Sequence, residues 1–268
     1  MTAAFADRVI ILTGASEGIG RALAIELARD APRLVLAARQ QERLDAVATD
    51  CRALGATVVT VATDVSEREA CRALVDAAAA HFGRIDVLVN NAGSTMWSRF
   101  DALQDLSVLE RLMAVNYLGA AWLTKFALPH LVKTRGLIVA VASVAGLTGV
   151  PERTAYAASK HAMIGFFDSL RIEIAPQGVA VTIVAPDFVV SEIHKRAIGA
   201  DGRPLGATPM QEARIMSAPE CARIVRRGME RRERLVFTSA RGRFGRWLKL
   251  VAPRVIDGIA ARAIRNKR

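Results

Sequence analysis

The chain has 268 residues, 52% of them hydrophobic and 24% charged, with 19 Gly and 9 Pro, which suits a large buried core and excludes a collagen-like or low-complexity chain. The formal charge of +11 is concentrated at one end: residues 231–268 carry 12 Lys/Arg against Glu233 and Asp257, whereas residues 1–230 are close to neutral. Three scattered cysteines, Cys51, Cys71 and Cys221, suggest neither a disulfide framework nor a zinc site, and without an apolar run of about 18–20 residues or a secretory-type leader the chain is expected to be soluble and cytoplasmic.

Short β-rich runs fall at 8–13, 33–38, 57–63, 85–90, 137–142, 179–185 and 234–238, and stretches of helical composition at 18–29, 40–54, 66–82, 103–132, 154–175 and 219–231. Runs such as Val9-Ile10-Ile11-Leu12 are apolar throughout, as strands covered on both faces must be. The alternation predicts an α/β, doubly wound Rossmann fold with a seven-stranded parallel sheet, one domain over residues 1–240, and a C-terminal extension over 241–268.

Parallel strands deliver their C-terminal ends to one edge, where ligands bind. Strand one exits into Thr13-Gly14-Ala15-Ser16-Glu17-Gly18-Ile19-Gly20, a turn that lets backbone approach a pyrophosphate at a helix N-terminus. Such turns also occur without ligands. Strand two exits at Arg39, with no acid before Glu42; an Arg here accommodates a ribose 2′-phosphate, where an acid would favour the bare hydroxyl. Arg39 read by itself could also be a solvated helix-start residue, and Glu17 would set a negative charge near the same phosphate. Strand three ends at Asp64-Val65, strand four at Asn90-Asn91-Ala92-Gly93, strand five at Ser143 and strand six at Pro186. Asp64 alone could be a helix cap and Asn90 a loop amide; their placement at successive exits on one rim suits a dinucleotide.

In Tyr156-Ala157-Ala158-Ser159-Lys160 a phenol and an ammonium lie four residues apart on one helical face. A phenol with a pKa near 10 needs roughly 4 kcal/mol of differential interaction to titrate about three units lower, which a fixed cation can supply. A buried Tyr beside a snorkelling Lys is the structural alternative.

Thr13-Gly14-x-x-x-Gly18-x-Gly20, Asp64, Asn90-Asn91-Ala92-Gly93, Asn116, Ser143 and Tyr156-x-x-x-Lys160 together closely resemble the short-chain dehydrogenase/reductase family over about residues 5–240. The resemblance implies hydride transfer through a nicotinamide cofactor, with a tetrad of Asn116, Ser143, Tyr156 and Lys160. Tyr156 would be the general acid or base, Ser143 would orient the carbonyl, Lys160 would bind the nicotinamide ribose and tune the phenol, and Asn116 would hold a relay water. It also implies that the turn holding Gly14, Ser16, Glu17, Gly18, Ile19 and Gly20 binds pyrophosphate and that Asp64 and Val65 touch adenine. Asn90, Ala92 and Gly93 would flank the cofactor, with Pro186, Val189 and Ser191 beside its nicotinamide. Arg39 is similar to the 2′-phosphate arginine of NADP-preferring members, so NADP(H) is expected over NAD(H). After strand six the family has Pro-Gly followed by a Thr; here Pro186-Asp187-Phe188-Val189-Val190-Ser191 keeps a hydroxyl at Ser191 but places a charged residue, Asp187, at the glycine position. The segment 154–171 has a looser likeness to the subgroup of 11β-hydroxysteroid dehydrogenases.

Met96, Trp97, Leu147, Val150 and Ile193 are expected to form an apolar substrate pocket for a lipophilic ketone or secondary alcohol. The Gly- and Pro-bearing stretch 191–218 reads as a lid, with His194 read as an exposed lid residue and contact with substrate as the alternative. In the extension, Phe244, Trp247, Leu248 and Val251 fall at helical spacing among Arg243, Arg246 and Lys249, and a second stripe (Val255, Ile256, Ile259, Ala260, Ala263, Ile264) follows Pro253. Such basic amphipathic helices suit an anionic membrane surface; packing on the body or on a second subunit is the alternative, and nucleic acid is disfavoured because no reading motif accompanies the charge. Homo-oligomerisation as a dimer or tetramer through the long apolar helices is also expected, and no metal site is. A second class of function, a catalytically silent cofactor-binding regulator or membrane-surface scaffold, finds its only encouragement in Asp187.

Overall fold

The computed structural model describes residues 3–208, 210 and 215–265, the last three as backbone. Seven strands, β1 (Val9–Thr13), β2 (Arg33–Ala38), β3 (Thr57–Ala62), β4 (Val87–Asn90), β5 (Leu137–Val141), β6 (Ala180–Ala185) and β7 (Leu235–Phe237), form one sheet of order β3-β2-β1-β4-β5-β6-β7, and each ladder is parallel. All seven expected strands are present. Because side chains alternate along a strand, Ile10 and Leu12 enter the core beneath α1 (Gly18–Ala28), α2 (Gln41–Ala53) and α7 (Ala218–Glu230). Ile11, one residue between them, enters the opposite core with α3 (Arg68–Phe82), α5 (Gly119–Thr134) and α6 (Thr154–Ile174). Two covered faces explain why the strands show no polar alternation.

The long helix expected over 103–132 is divided. A short 3₁₀ turn (Phe100–Ala102) precedes α4 (Ser107–Met113), and a π turn (Ala114–Leu118) joins α4 to α5. The start moves to Ser107 because the Asp105 carboxylate accepts from Ser107 N at 3.0 Å, satisfying an N-terminal donor that would otherwise be open. Likewise α3 begins at Arg68, after Asp64 Oδ1 has taken Ser66 N and Oγ at 3.0 and 2.6 Å. At the C-terminal end, α8 (Ala240–Val251) and α9 (Pro253–Arg265) follow β7; Ser239 caps α8 by accepting from Gly242 N at 3.0 Å, and Pro253 opens α9, where a missing N–H costs nothing. Residues 266–268 of the expected extension, the side chains of Ala263 and Ile264, and residues 209 and 211–214 of the expected lid lie outside the described residues.

Candidate active site

The strand order reverses between β1 and β4, the place where a doubly wound sheet opens a crevice. A cavity of about 860 Å³ lies there. Its first wall is the turn after β1. Gly14 has φ +63°, and a Cβ on it would stand 2.9 Å from Ala92 Cα; a Cβ on Gly20 would stand 2.0 Å from the Gly14 carbonyl oxygen. Both positions exclude side chains, so the helix N-terminus reaches the cavity as bare backbone. The Thr13 hydroxyl donates to Val89 O at 3.2 Å and accepts from the amides of Asn91 and Ala92, each at 3.0 Å. Asn91 Nδ2 returns to Thr13 O at 2.9 Å. Thr13 and Asn91 thus clamp the two strand exits together, a role that motif reading had not assigned to them.

Gly14, Ser16, Glu17, Ile19, Gly20, Arg39, Asp64, Val65, Ala92, Gly93, Ser143, Tyr156, Lys160, Pro186, Val189 and Ser191 all line this one cavity. Gly18, Asn90 and Asn116 do not. Asn90 is turned into the sheet's other layer, where Nδ2 donates to Thr124 Oγ1 at 3.1 Å. This corrects the expectation that it flanks the cofactor: at the end of β4 successive side chains alternate, so Asn91 takes the crevice side and Asn90 the α5 side. Asn116, buried in the π turn, accepts from Ser94 N at 2.8 Å and donates to Ser94 O at 2.9 Å and Ser159 Oγ at 2.8 Å. Ser159 in turn donates to Tyr156 O at 2.8 Å, so Asn116 braces the first turns of α6 from behind.

Tyr156 and Ser143 both line the cavity, with the Ser143 hydroxyl beside the phenol. Burial pushes the Tyr156 phenol above its usual range, against the Ser143 hydroxyl and the Arg153 charge, which both pull it down. Lys160 Nζ donates to Val141 O at 2.9 Å and lies 6.0 Å from the Tyr156 ring centre; burial brings its ammonium down to about 8. Lys160 Nζ thus stands beside the Tyr156 ring, and Arg153, with Cζ 5.7 Å from the ring centre, is a second cation next to the phenol.

Arg153 was not anticipated. It is 5% exposed, lines the cavity, and is stacked 4.1 Å from the Trp97 ring centre and 5.1 Å from that of Phe188. Of the expected substrate-pocket residues, Val150 and Ile193 line the cavity, whereas Met96, Trp97 and Leu147 do not; Met96 is fully buried in a small core with Val108, Leu112 and Ala155. His194 is buried rather than exposed, its Nε2 3.1 Å from Val189 O. Glu17 is paired with both Arg43 and Arg196, so its charge is offset where Arg39 opens to the cavity. Among the described residues Arg39 has no ion-pair partner. Asp187, the departure from the family pattern, accepts from Arg241 Nε and Nη2 at 2.9 and 2.8 Å and from Ser239 Oγ at 2.9 Å. Burial alone would raise its carboxyl, but Arg241 and Ser239 hold it below the usual range. It serves as a tether between the crevice and α8.

The clear glycine turn, the exposed Arg39 at the second strand exit and the phenol–ammonium pair fit a nicotinamide dinucleotide. Comparison with known proteins points the same way. A family model described as short chain dehydrogenase matches residues 8–200. The 11-beta-hydroxysteroid dehydrogenase-like 4A of Arabidopsis thaliana is 40% identical over 250 residues, 93% of this chain and 82% of the plant protein. The 11-beta-hydroxysteroid dehydrogenase A of Sesamum indicum is 37% identical over 260 residues, 95% of this chain and 74% of its own. Among solved structures, a short chain dehydrogenase/reductase from Burkholderia phymatum in complex with NAD aligns with a TM-score of 0.82 at 28% identity, covering 94% of this chain and 96% of that one. Levodione reductase aligns at 0.79 with 25% identity, covering 88% and 98%.

Proposed function

The chain belongs to the short-chain dehydrogenase family of oxidoreductases, and from that premise we propose that it is an NADP(H)-dependent enzyme acting on an apolar ketone or secondary alcohol. The observation that carries the reading is the gathering of the glycine turn, Arg39, Ser143, Tyr156 and Lys160 around one cavity. A bound nicotinamide supplies and accepts the hydride. Arg39, without a carboxylate partner among the described residues, is the group for the ribose 2′-phosphate. Lys160 holds ribose hydroxyls, and Asp64 with Val65 borders the adenine. In reduction, Tyr156 Oη gives its proton to the carbonyl oxygen while the Ser143 hydroxyl hydrogen-bonds the same oxygen; in oxidation the phenolate takes the alcohol proton. Burial pushes the phenol upward, so its resting form is the protonated one that reduction uses. Asn116 acts by positioning α6. Val150, Ile193, Ile198 and Phe188 give the cavity an apolar side.

The silent-binder alternative drew on Asp187, whose charge is met by Arg241. We further propose that residues 1–240 are the catalytic unit, with a lid near 191–218, and that 241–268 docks on an anionic membrane surface. Support for docking comes from Phe244, Trp247, Leu250, Val251, Val255 and Ile259, exposed by 52–78% on α8 and α9, beside Arg243, Arg246 and Arg254. Among the described residues no helix is long and apolar enough to cross a membrane. Trp122, Phe166 and Leu170 of α5 and α6, packed against the core yet still partly exposed, support self-association.

A panel of ketones and secondary alcohols assayed in parallel with NADPH and NADH tests the reading. Oxidation of NADPH by at least one ketone, at a kcat/KM about tenfold or more above that with NADH, is expected; equal or better use of NADH would refute the assignment of Arg39.

A further inference from the structure

Arg153 immediately precedes α6 and stands three residues before Tyr156. Its guanidinium is buried at the edge of the cavity, yet among the described residues it makes no hydrogen bond and no ion pair, and Nη2 is wholly enclosed without a partner. Only rings hold it: those of Trp97, Phe188 and Tyr156, centred 4.1, 5.1 and 5.7 Å from Cζ. The carboxylates that could have met it are engaged elsewhere. Glu152 accepts from Trp97 Nε1 at 2.8 Å, and Asp187 is closed by Arg241 and Ser239. An arginine remains charged in a protein, and an enclosed charge without a counter-ion costs more than ring faces return. The guanidinium is therefore left open to an anion that enters the cavity.

We infer that Arg153 is the recognition site for a carboxylate carried by the substrate, so that the enzyme takes oxo acids or hydroxy acids with an apolar chain in preference to neutral ketones. The inference rests on the redox reading above and deepens it. A guanidinium fork matches a carboxylate with two parallel hydrogen bonds, and the Trp97 and Phe188 rings fix the plane of that fork. The location separates this anion from the cofactor's phosphate. Arg39 follows β2, whereas Arg153 lies between β5 and α6, three strands across the sheet, about 14 Å at the usual strand spacing. Arg153 shares its end of the cavity with the Tyr156 phenol, which sets the anion a few bonds from the reacting carbonyl. Val150, Ile193 and Ile198 are left to cover the apolar chain.

The test is calorimetric titration of the full-length protein saturated with NADP⁺, which binds ketones without turning them over. The probes are 4-, 5- and 6-oxodecanoate and their methyl esters, each with wild type, Arg153→Gln and Arg153→Lys. At least one acid is expected to bind wild type tenfold or more tightly than its ester, with that ratio erased in Arg153→Gln and partly kept in Arg153→Lys. Acid and ester binding alike, no acid binding at all, or a ratio that survives Arg153→Gln would overturn the inference. So would an equal loss of NADP⁺ affinity in Arg153→Gln, which would give the guanidinium to the cofactor. Should Arg153→Gln fail to fold, Arg153→Lys decides: it keeps the charge and loses the fork, so a several-fold smaller acid-to-ester ratio is expected, and an unchanged one is contrary. Selective acid binding without NADPH oxidation by any ketone would sink the redox reading and leave the carboxylate site standing.

Discussion

Lys160 carries a cost that the fold accepts. It is 3% exposed, and burial lowers its ammonium from 10.5 to about 8. The unfolded chain therefore holds this proton between roughly pH 8 and 10.5 while the folded chain has released it, so stability from this group rises with pH across that window and is at its lowest below pH 8. A shift of this size corresponds to about 3 kcal/mol. Lys160→Met is accordingly expected to melt higher relative to wild type at pH 7 than at pH 10. Thermal melts of the two proteins across pH 7–10.5 check the sign; a difference that does not shrink as pH rises would contradict it. At this scale the sequence made Ser143, Tyr156 and Lys160 legible, because strand end and helix spacing alone bring them together. Arg153 was illegible for a physical reason. In Pro151-Glu152-Arg153-Thr154 it reads like any solvated loop arginine, and its burial is created by Trp97 and Phe188 from segments far away in the chain. Asn90 misled in the opposite way, since a one-residue change of strand face separates it from Asn91.

Among elements, the seven strands were legible from their apolar continuity, whereas the division of the 103–132 stretch was not. Its composition is helical throughout, and the break comes from the Asp105 side chain and from a π turn that points Asn116 inward. The two C-terminal helices follow the apolar spacing of the sequence, and their surroundings add what spacing could not. Arg241 is tethered to Asp187, and Lys249 Nζ donates to Leu147 O at 3.0 Å, so α8 lies against loops of the catalytic rim while its aromatic side stays open. The basic residues around that side oppose the approach of a second copy and favour an anionic surface, with about 1 kcal/mol per Lys or Arg near such a surface. Full-length protein should sediment with vesicles containing phosphatidylserine, lose that binding as salt is raised, and bind at least tenfold more weakly when Phe244, Trp247 and Leu250 are all replaced by Ser. Equal binding to pure phosphatidylcholine vesicles, or no effect of the triple replacement, would count against the docking proposal.

For the molecule as a whole, the parallel sheet places six strand exits on one rim, and the reversal between β1 and β4 turns that rim into a cavity. Strand–helix alternation made this architecture legible in the sequence. The closing of charges across the cavity was not legible, because Glu17 with Arg43 and Arg196, and Asp187 with Arg241, join residues 26 to 179 positions apart. These pairs offset the Glu17 charge that weighed against a 2′-phosphate and the Asp187 charge that departs from the family pattern. What remains at the reacting end is a buried phenol, a serine hydroxyl and an unmatched guanidinium. The claim on which the account turns is that the Tyr156 hydroxyl moves the proton. Steady-state NADPH oxidation with the best ketone of the panel, measured for wild type and Tyr156→Phe alongside NADPH binding by fluorescence, tests it directly. The account predicts a loss of roughly 10²–10⁴-fold in kcat with NADPH still bound by a folded protein; turnover within a few-fold of wild type in that variant would contradict it.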